Sequence, residues 1–164
     1  MVELQVHSVL YSLLSRHRIV LLKEPHGERF LPIWIGSYES EAIAMRLQGS
    51  TVPRPLTHDL LVNMVAELGG RLRYIVVNDL SDSTFYARIA IDRDGELQLV
   101  DSRPSDAIAV AVRAAIPIYA EEPVMDKAAI VVSPEIRVNS AASNDKLDVF
   151  RDFLDTLDMD DSGD

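Results

Sequence analysis

The chain has 164 residues, 48% of them hydrophobic, and a formal net charge of -10 from 16 Lys and Arg against 26 Asp and Glu. That length fits one domain with a substantial hydrophobic core. Cysteine is absent, which excludes disulfides, thiolate zinc sites and a nucleophilic thiol.

The start, Met1-Val2-Glu3-Leu4-Gln5-Val6, alternates polar and apolar residues and lacks the basic start and unbroken apolar run of a signal peptide. Nowhere do about 18 apolar residues follow one another, so no membrane span is expected and the chain reads as cytoplasmic. Val2 to Tyr11 and Arg18 to Lys23 are rich in β-formers, and Pro25-His26-Gly27-Glu28 supplies turn residues before Phe30-Leu31-Pro32-Ile33-Trp34-Ile35. These segments predict three antiparallel strands, with Trp34 in the core or at an interface. After Gly36, Ser37 is placed to cap a helix through Glu39, Glu41, Ala42, Met45 and Leu47 that stops at Gly49.

Past the rigid loop Val52-Pro53-Arg54-Pro55, Thr57 is the expected N-cap of a second helix ending at Gly69-Gly70. Its Leu60, Leu61, Met64, Val65 and Leu68 form one continuous apolar face. Leu72 to Val77, Thr84 to Ile91 and Leu97 to Val100, the last following the turn Asp92-Arg93-Asp94-Gly95, predict a meander. Asp101-Ser102-Arg103-Pro104-Ser105-Asp106 then leads into a small-residue helix with Ala107, Ile108, Ala111, Val112 and Ala115, whose alanines permit close packing on a sheet. Ile116 to Tyr119 predicts a last strand and Glu121 to Ile130 a short helix.

The expected body is residues 1–133, followed by a linker at 134–143, an amphipathic helix at 144–157 with Leu147, Phe150, Leu154 and Leu157 at helical spacing, and an acidic, disordered tail at 158–164. From Asn144 onward the net charge is -6, which leaves -4 on residues 1–143. The body is therefore only mildly acidic, and a nucleic-acid partner stays open.

Gly-rich phosphate loops, paired-histidine helices, nucleophile elbows and EF-hand loops are all missing. Polar chemistry gathers instead at two related turns, Arg54-Pro55-Leu56-Thr57-His58-Asp59 and Asp101-Ser102-Arg103-Pro104-Ser105-Asp106. In each, proline keeps the preceding arginine out of helical geometry and an Asp lies in the first turn of the helix that follows. Two uses of this pattern are open. An Asp in a first turn satisfies free N–H groups and complements the helix dipole, with the arginine as its local partner. Brought together, the two turns would instead offer anion-binding donors, a titratable base in His58 and metal-ligating carboxylates, the groups needed to cleave a phosphodiester. Glu41 is favoured over Glu39 as a further carboxylate.

Leu31-Pro32-Ile33-Trp34-Ile35-Gly36 with Glu41-Ala42, Arg54 to Leu61, Thr84-Phe85-Tyr86-Ala87 and Asp101 to Ala109 together resemble the bifunctional nuclease family, in one collinear stretch over residues 1 to 133. The resemblance implies an α+β fold, a mostly antiparallel curved sheet with packed helices, and a homo-oligomer, expected to be a dimer. It implies a nuclease acting on DNA and RNA with little sequence preference. On that reading His58 is the general acid or base, and Arg54 and Arg103 stabilise phosphate charge. Asp59, Asp101 and Asp106, with Glu41, hold a divalent cation such as magnesium. The alternative is a non-catalytic regulatory or scaffolding module whose C-terminal helix engages a partner.

Overall fold

The apolar, β-rich start of the chain forms β1 (Val2–Tyr11), β2 (Arg18–Lys23) and β3 (Arg29–Ile35), paired antiparallel in sequence order as expected. The structure, a computed structural model, describes residues 1–12 and 17–131. Ile19 to Leu22 and Phe30 to Ile33 are buried throughout, so both faces of β2 and β3 are covered, and this is why they read as unbroken apolar runs. Trp34, just beyond, is exposed.

Two helices follow, α1 (Ser37–Leu47) and α2 (Thr57–Glu67). The caps differ from expectation by one residue. Gly36 and Leu56 take the extended cap conformation, while Ser37 and Thr57 are the first helical residues. Gly49 and Gly69 follow the helix ends at positive φ, 68° and 78°, a conformation that costs glycine least. In α2 the apolar residues divide between two sides. His58 is buried and Val62 packs on the core, whereas Leu60, Leu61, Met64 and Leu68 are exposed. The stripe counted from sequence as the packing face is thus mostly the outer one.

β4 (Arg71–Ser81), β5 (Thr84–Arg93) and β6 (Glu96–Ser102) form the expected meander. Asp94 and Gly95, with φ of 54° and 84°, make the tight turn between β5 and β6, and Asp82 and Ser83 make the corresponding turn between β4 and β5. α3 (Pro104–Ala114) buries Ala107, Ala109 and Ala111 in the core with essentially no exposure. β7 (Ile118–Ala120), α4 (Glu122–Ala128) and β8 (Ile130–Val131) complete the described elements.

The strands form one eight-stranded sheet in the order β6-β5-β4-β7-β1-β2-β3-β8. β6-β5, β5-β4, β7-β1, β1-β2 and β2-β3 are antiparallel pairs, while β7 lies parallel to β4, with Ile75 opposite Ile118 and Val77 opposite Ala120. On its other side β7 pairs antiparallel with β1. The α+β expectation holds. A single core cluster joins Leu4, Val20, Leu22, Leu31 and Ile33 to Ile75, Val77, Ala87 and Ile89, and to Ile43 of α1, the inner face of α3, and Val124 and Met125 of α4. Met1–Ile130 is one compact unit. The linker, amphipathic helix and acidic tail expected at 134–143, 144–157 and 158–164 lie outside the described residues. Among the described residues no helix is long and apolar enough to cross a membrane.

Candidate functional site

Pro104 opens α3, and Arg103 before it is extended, at φ -67° and ψ 143°, as a residue preceding proline should be. Its guanidinium folds back, Nε donating to Asp106 Oδ2 at 2.7 Å and Nη2 donating to Glu39 Oε1 at 2.8 Å. The other oxygen of Asp106, Oδ1, lies 2.9 Å from Nε2 of His58, in the first turn of α2. The two turns therefore meet. His58 is 8% exposed and is the buried residue of its helix, held there by a carboxylate from a segment 48 residues away.

Burial works to raise the Asp106 carboxyl, but the hydrogen bonds and charges of Arg103 and His58 outweigh it and hold the group below the usual carboxylate range. An ionised carboxylate only accepts, so Nε2 of His58 carries the hydrogen in this pair. The same contacts with Asp106, then Glu39, raise the pKa of Arg103 further above its ordinary value.

Asp59 occupies in α2 the place that Asp106 occupies in α3, yet it is used differently. Its Oδ2 accepts from the Leu56 N–H at 2.9 Å, closing the first turn of its own helix, while Oδ1 accepts from Nε of Arg113 at 2.7 Å. Burial raises this carboxyl too; the Leu56 N–H, Arg113 and the charge of Arg46 more than reverse that. The Arg113 side chain is 6% exposed and fully employed, with Nη1 donating to the Ala109 carbonyl at 2.9 Å and Nη2 to the Ala42 carbonyl at 3.1 Å. One arginine thus ties α1, α2 and α3 together behind the two turns.

The other expected site residues stand apart from this network. Arg54 is exposed and makes no hydrogen bond or ion pair to the described residues. Asp101 is exposed on β6 opposite Arg88, and Glu41 is exposed on α1. The acidic member that joins is Glu39, not Glu41: it lies one turn before the buried Ile43, on the face that α1 turns inward. That spacing was visible in the sequence. So was a lone arginine following Ala-Val-Ala-Val in a buried helix, the signature of a paired cation, although Arg113 was not singled out.

A divalent cation does not fit Asp59, Asp101, Asp106 and Glu41 as they are arranged. Each oxygen of Asp59 and Asp106 already accepts a hydrogen bond, and among the described residues no three His, Asp or Glu side chains are grouped to hold a metal ion. What the arrangement offers is a buried imidazole oriented by an ionised carboxylate beside an arginine that is 66% exposed, at the adjoining starts of two helices.

A family model described as the bifunctional nuclease domain matches residues 20–133, a span that includes His58, Asp106, Arg103, Glu39 and Arg113. An uncharacterized protein of Mycobacterium tuberculosis is 42% identical over 145 residues, 87% of either chain. Bifunctional nuclease 1 of Oryza sativa subsp. japonica is 29% identical over 105 residues, 62% of this chain and 32% of the rice protein. Bifunctional nuclease 1 of Arabidopsis thaliana is 29% identical over 106 residues, 62% of this chain and 33% of its own.

Proposed function

Because the chain belongs to the bifunctional nuclease domain family, we propose that it hydrolyses phosphodiester bonds of DNA or RNA, with little sequence preference, where α2 and α3 begin side by side. The observation that carries this reading is the contact of His58 with Asp106, itself held by Arg103. Asp106 fixes the tautomer of His58, so that Nδ1 is the nitrogen able to take a proton from water as its oxygen attacks phosphorus. The bond from phosphorus to the leaving oxygen breaks, and that oxygen takes a proton from solvent, to which His58 returns the one it accepted. Arg103 leaves Nη1 unengaged by the described residues and, with the exposed Arg54, supplies positive charge for a phosphate. That charge is needed on a chain of net charge -10.

A second reading rests on the completeness of the same network. Asp59, Asp106, Arg113 and Glu39 are all satisfied within the protein, as in a clamp that only fixes helix starts in a non-catalytic module. One experiment separates the two. Purified wild-type chain, His58→Ala and Arg103→Lys are assayed on single-stranded DNA and RNA with and without magnesium, and melted from the same samples. A catalytic site predicts a loss of about 100-fold or more for His58→Ala, and a marked loss for Arg103→Lys because an ammonium cannot reproduce the planar fork. Wild-type turnover in a folded His58→Ala variant would refute the nuclease reading.

A further inference from the structure

The first strand in the sheet order, β6, pairs on one side only. Its contact with β5 runs without a bulge from Arg93 opposite Glu96 to Ala87 opposite Ser102, and its outer backbone edge meets no strand among the described residues. Proteins that keep such an edge single blunt it with lysine, proline, a bulge or a very short strand. β6 has seven residues, Glu96-Leu97-Gln98-Leu99-Val100-Asp101-Ser102, with no lysine, proline or bulge; the charges it carries along this edge are Glu96 and Asp101. Its acidic Asp101 lies opposite Arg88.

Facing residues on antiparallel strands share a side of the sheet. Leu97 is opposite Asp92 and Leu99 is opposite Ala90, so both leucines lie on the side turned away from Ala87 and Ile89, which pack with α3. There they are 53% and 48% exposed.

We propose that β6 pairs antiparallel with β6 of a second copy of this chain, about a two-fold axis at Gln98, to make one continuous sheet across a dimer. This register is favoured by self-complementarity. Leu97 faces Leu99 of the second copy and Leu99 faces Leu97, so four leucines close over one another on the open side. Glu96 meets Val100 and Asp101 meets Gly95, so no carboxylate faces a carboxylate. Beyond the strand ends Arg93 approaches Arg103 of the other copy, but each has acidic partners in its own chain: Asp94 for Arg93, Asp106 and Glu39 for Arg103. Moving the axis by one residue to Leu99 would set Leu97 against Asp101. An axis at Gln98 also brings the start of α3, with Arg103, to the rim of the interface. The proposal stands independently of the nuclease reading.

The absence of cysteine makes the test clean. In the full-length chain Gln98→Cys places the sole thiol of each copy directly across the axis, within reach of a disulfide. In Val100→Cys, on the same side of the same strand, the two thiols would be four residues out of step, roughly 13 Å apart along the strand and too far to bond. Mild oxidation should therefore give a covalent dimer with Gln98→Cys and little with Val100→Cys. Light scattering on the unmodified full chain should show a dimer, and Leu99→Lys should weaken it at least about tenfold while the chain keeps its folded far-UV circular dichroism spectrum. A monomer at about 100 µM, far above the concentrations at which specific dimers form, would overturn the proposal. So would equal cross-linking of the two cysteine variants, or a dimer untouched by Leu99→Lys.

Discussion

Replacing Arg113 with methionine keeps the apolar stem that fills the space between α1, α2 and α3 and removes only the guanidinium. Three hydrogen bonds go with it, to Asp59, Ala109 and Ala42. Breaking a buried ion pair costs about 3–5 kcal/mol, most of it for the charge left behind. Here Asp59 is 32% exposed and keeps the Leu56 N–H, so water and that donor absorb part of the loss and the low end applies. We expect Arg113→Met to lower the unfolding free energy by about 3 kcal/mol. Asp59→Asn should cost a similar amount, since it leaves the more buried Arg113 charge unpaired and its single amide oxygen cannot accept from both Leu56 and Arg113. In the double variant the stranded charge is gone, and the two losses should fall short of their sum by about 1–2 kcal/mol. Urea denaturation followed by far-UV circular dichroism measures all four corners of this cycle. A single-variant loss under about 1 kcal/mol, or additivity within about 0.5 kcal/mol, would show that Arg113 is not the tie between the helices.

The lowered carboxyls of Asp59 and Asp106 fix the sign of a pH effect. Their contribution to stability is complete above the ordinary carboxylate pKa of about 3.9 and disappears as the pH falls through their lower folded values. Melting temperatures from pH 7 to about pH 2.5 should fall steeply below about pH 4 in the wild type and less steeply in Asp106→Asn; parallel curves would contradict the assignment. Glu39→Gln weakens the charged second acceptor of Arg103 and should cost about 0.5–1 kcal/mol, whereas Glu41→Gln should be neutral within about 0.5 kcal/mol. Equal effects of the two substitutions in thermal melts would mean that the inward face of α1 is wrongly assigned.

Local chemistry was legible in the sequence and spatial partnership was not. Turn residues such as Asp94-Gly95, and glycines placed at helix ends, mark their elements because each demands a particular backbone conformation. Asp106 and Asp59 were visible as first-turn acids for the same reason. Which base or cation each would meet depends on how α2 lies against α3, and two turns that look alike in sequence use their aspartates for different purposes. The leucine stripe of α2 misled because periodicity finds an apolar face without saying what covers it: Leu60, Leu61, Met64 and Leu68 point away from the core while His58 takes the buried place. Glu39, not Glu41, joins the network because it lies one turn before Ile43, the buried residue that defines the inward face of α1.

β7 has a consequence for how the chain acquires its structure. β1 to β3 and the β4 to β6 meander are each built from neighbouring segments and can form early and locally. They are joined through the three residues Ile118–Ala120, which pair with Val2 to Leu4 on one side and with Ile75 to Val77 on the other. During synthesis both halves therefore emerge from the ribosome before the strand that unites them. Until it arrives, the edges of β1 and β4 are bare, and the nascent chain passes through an interval in which its best available strand partners belong to other molecules.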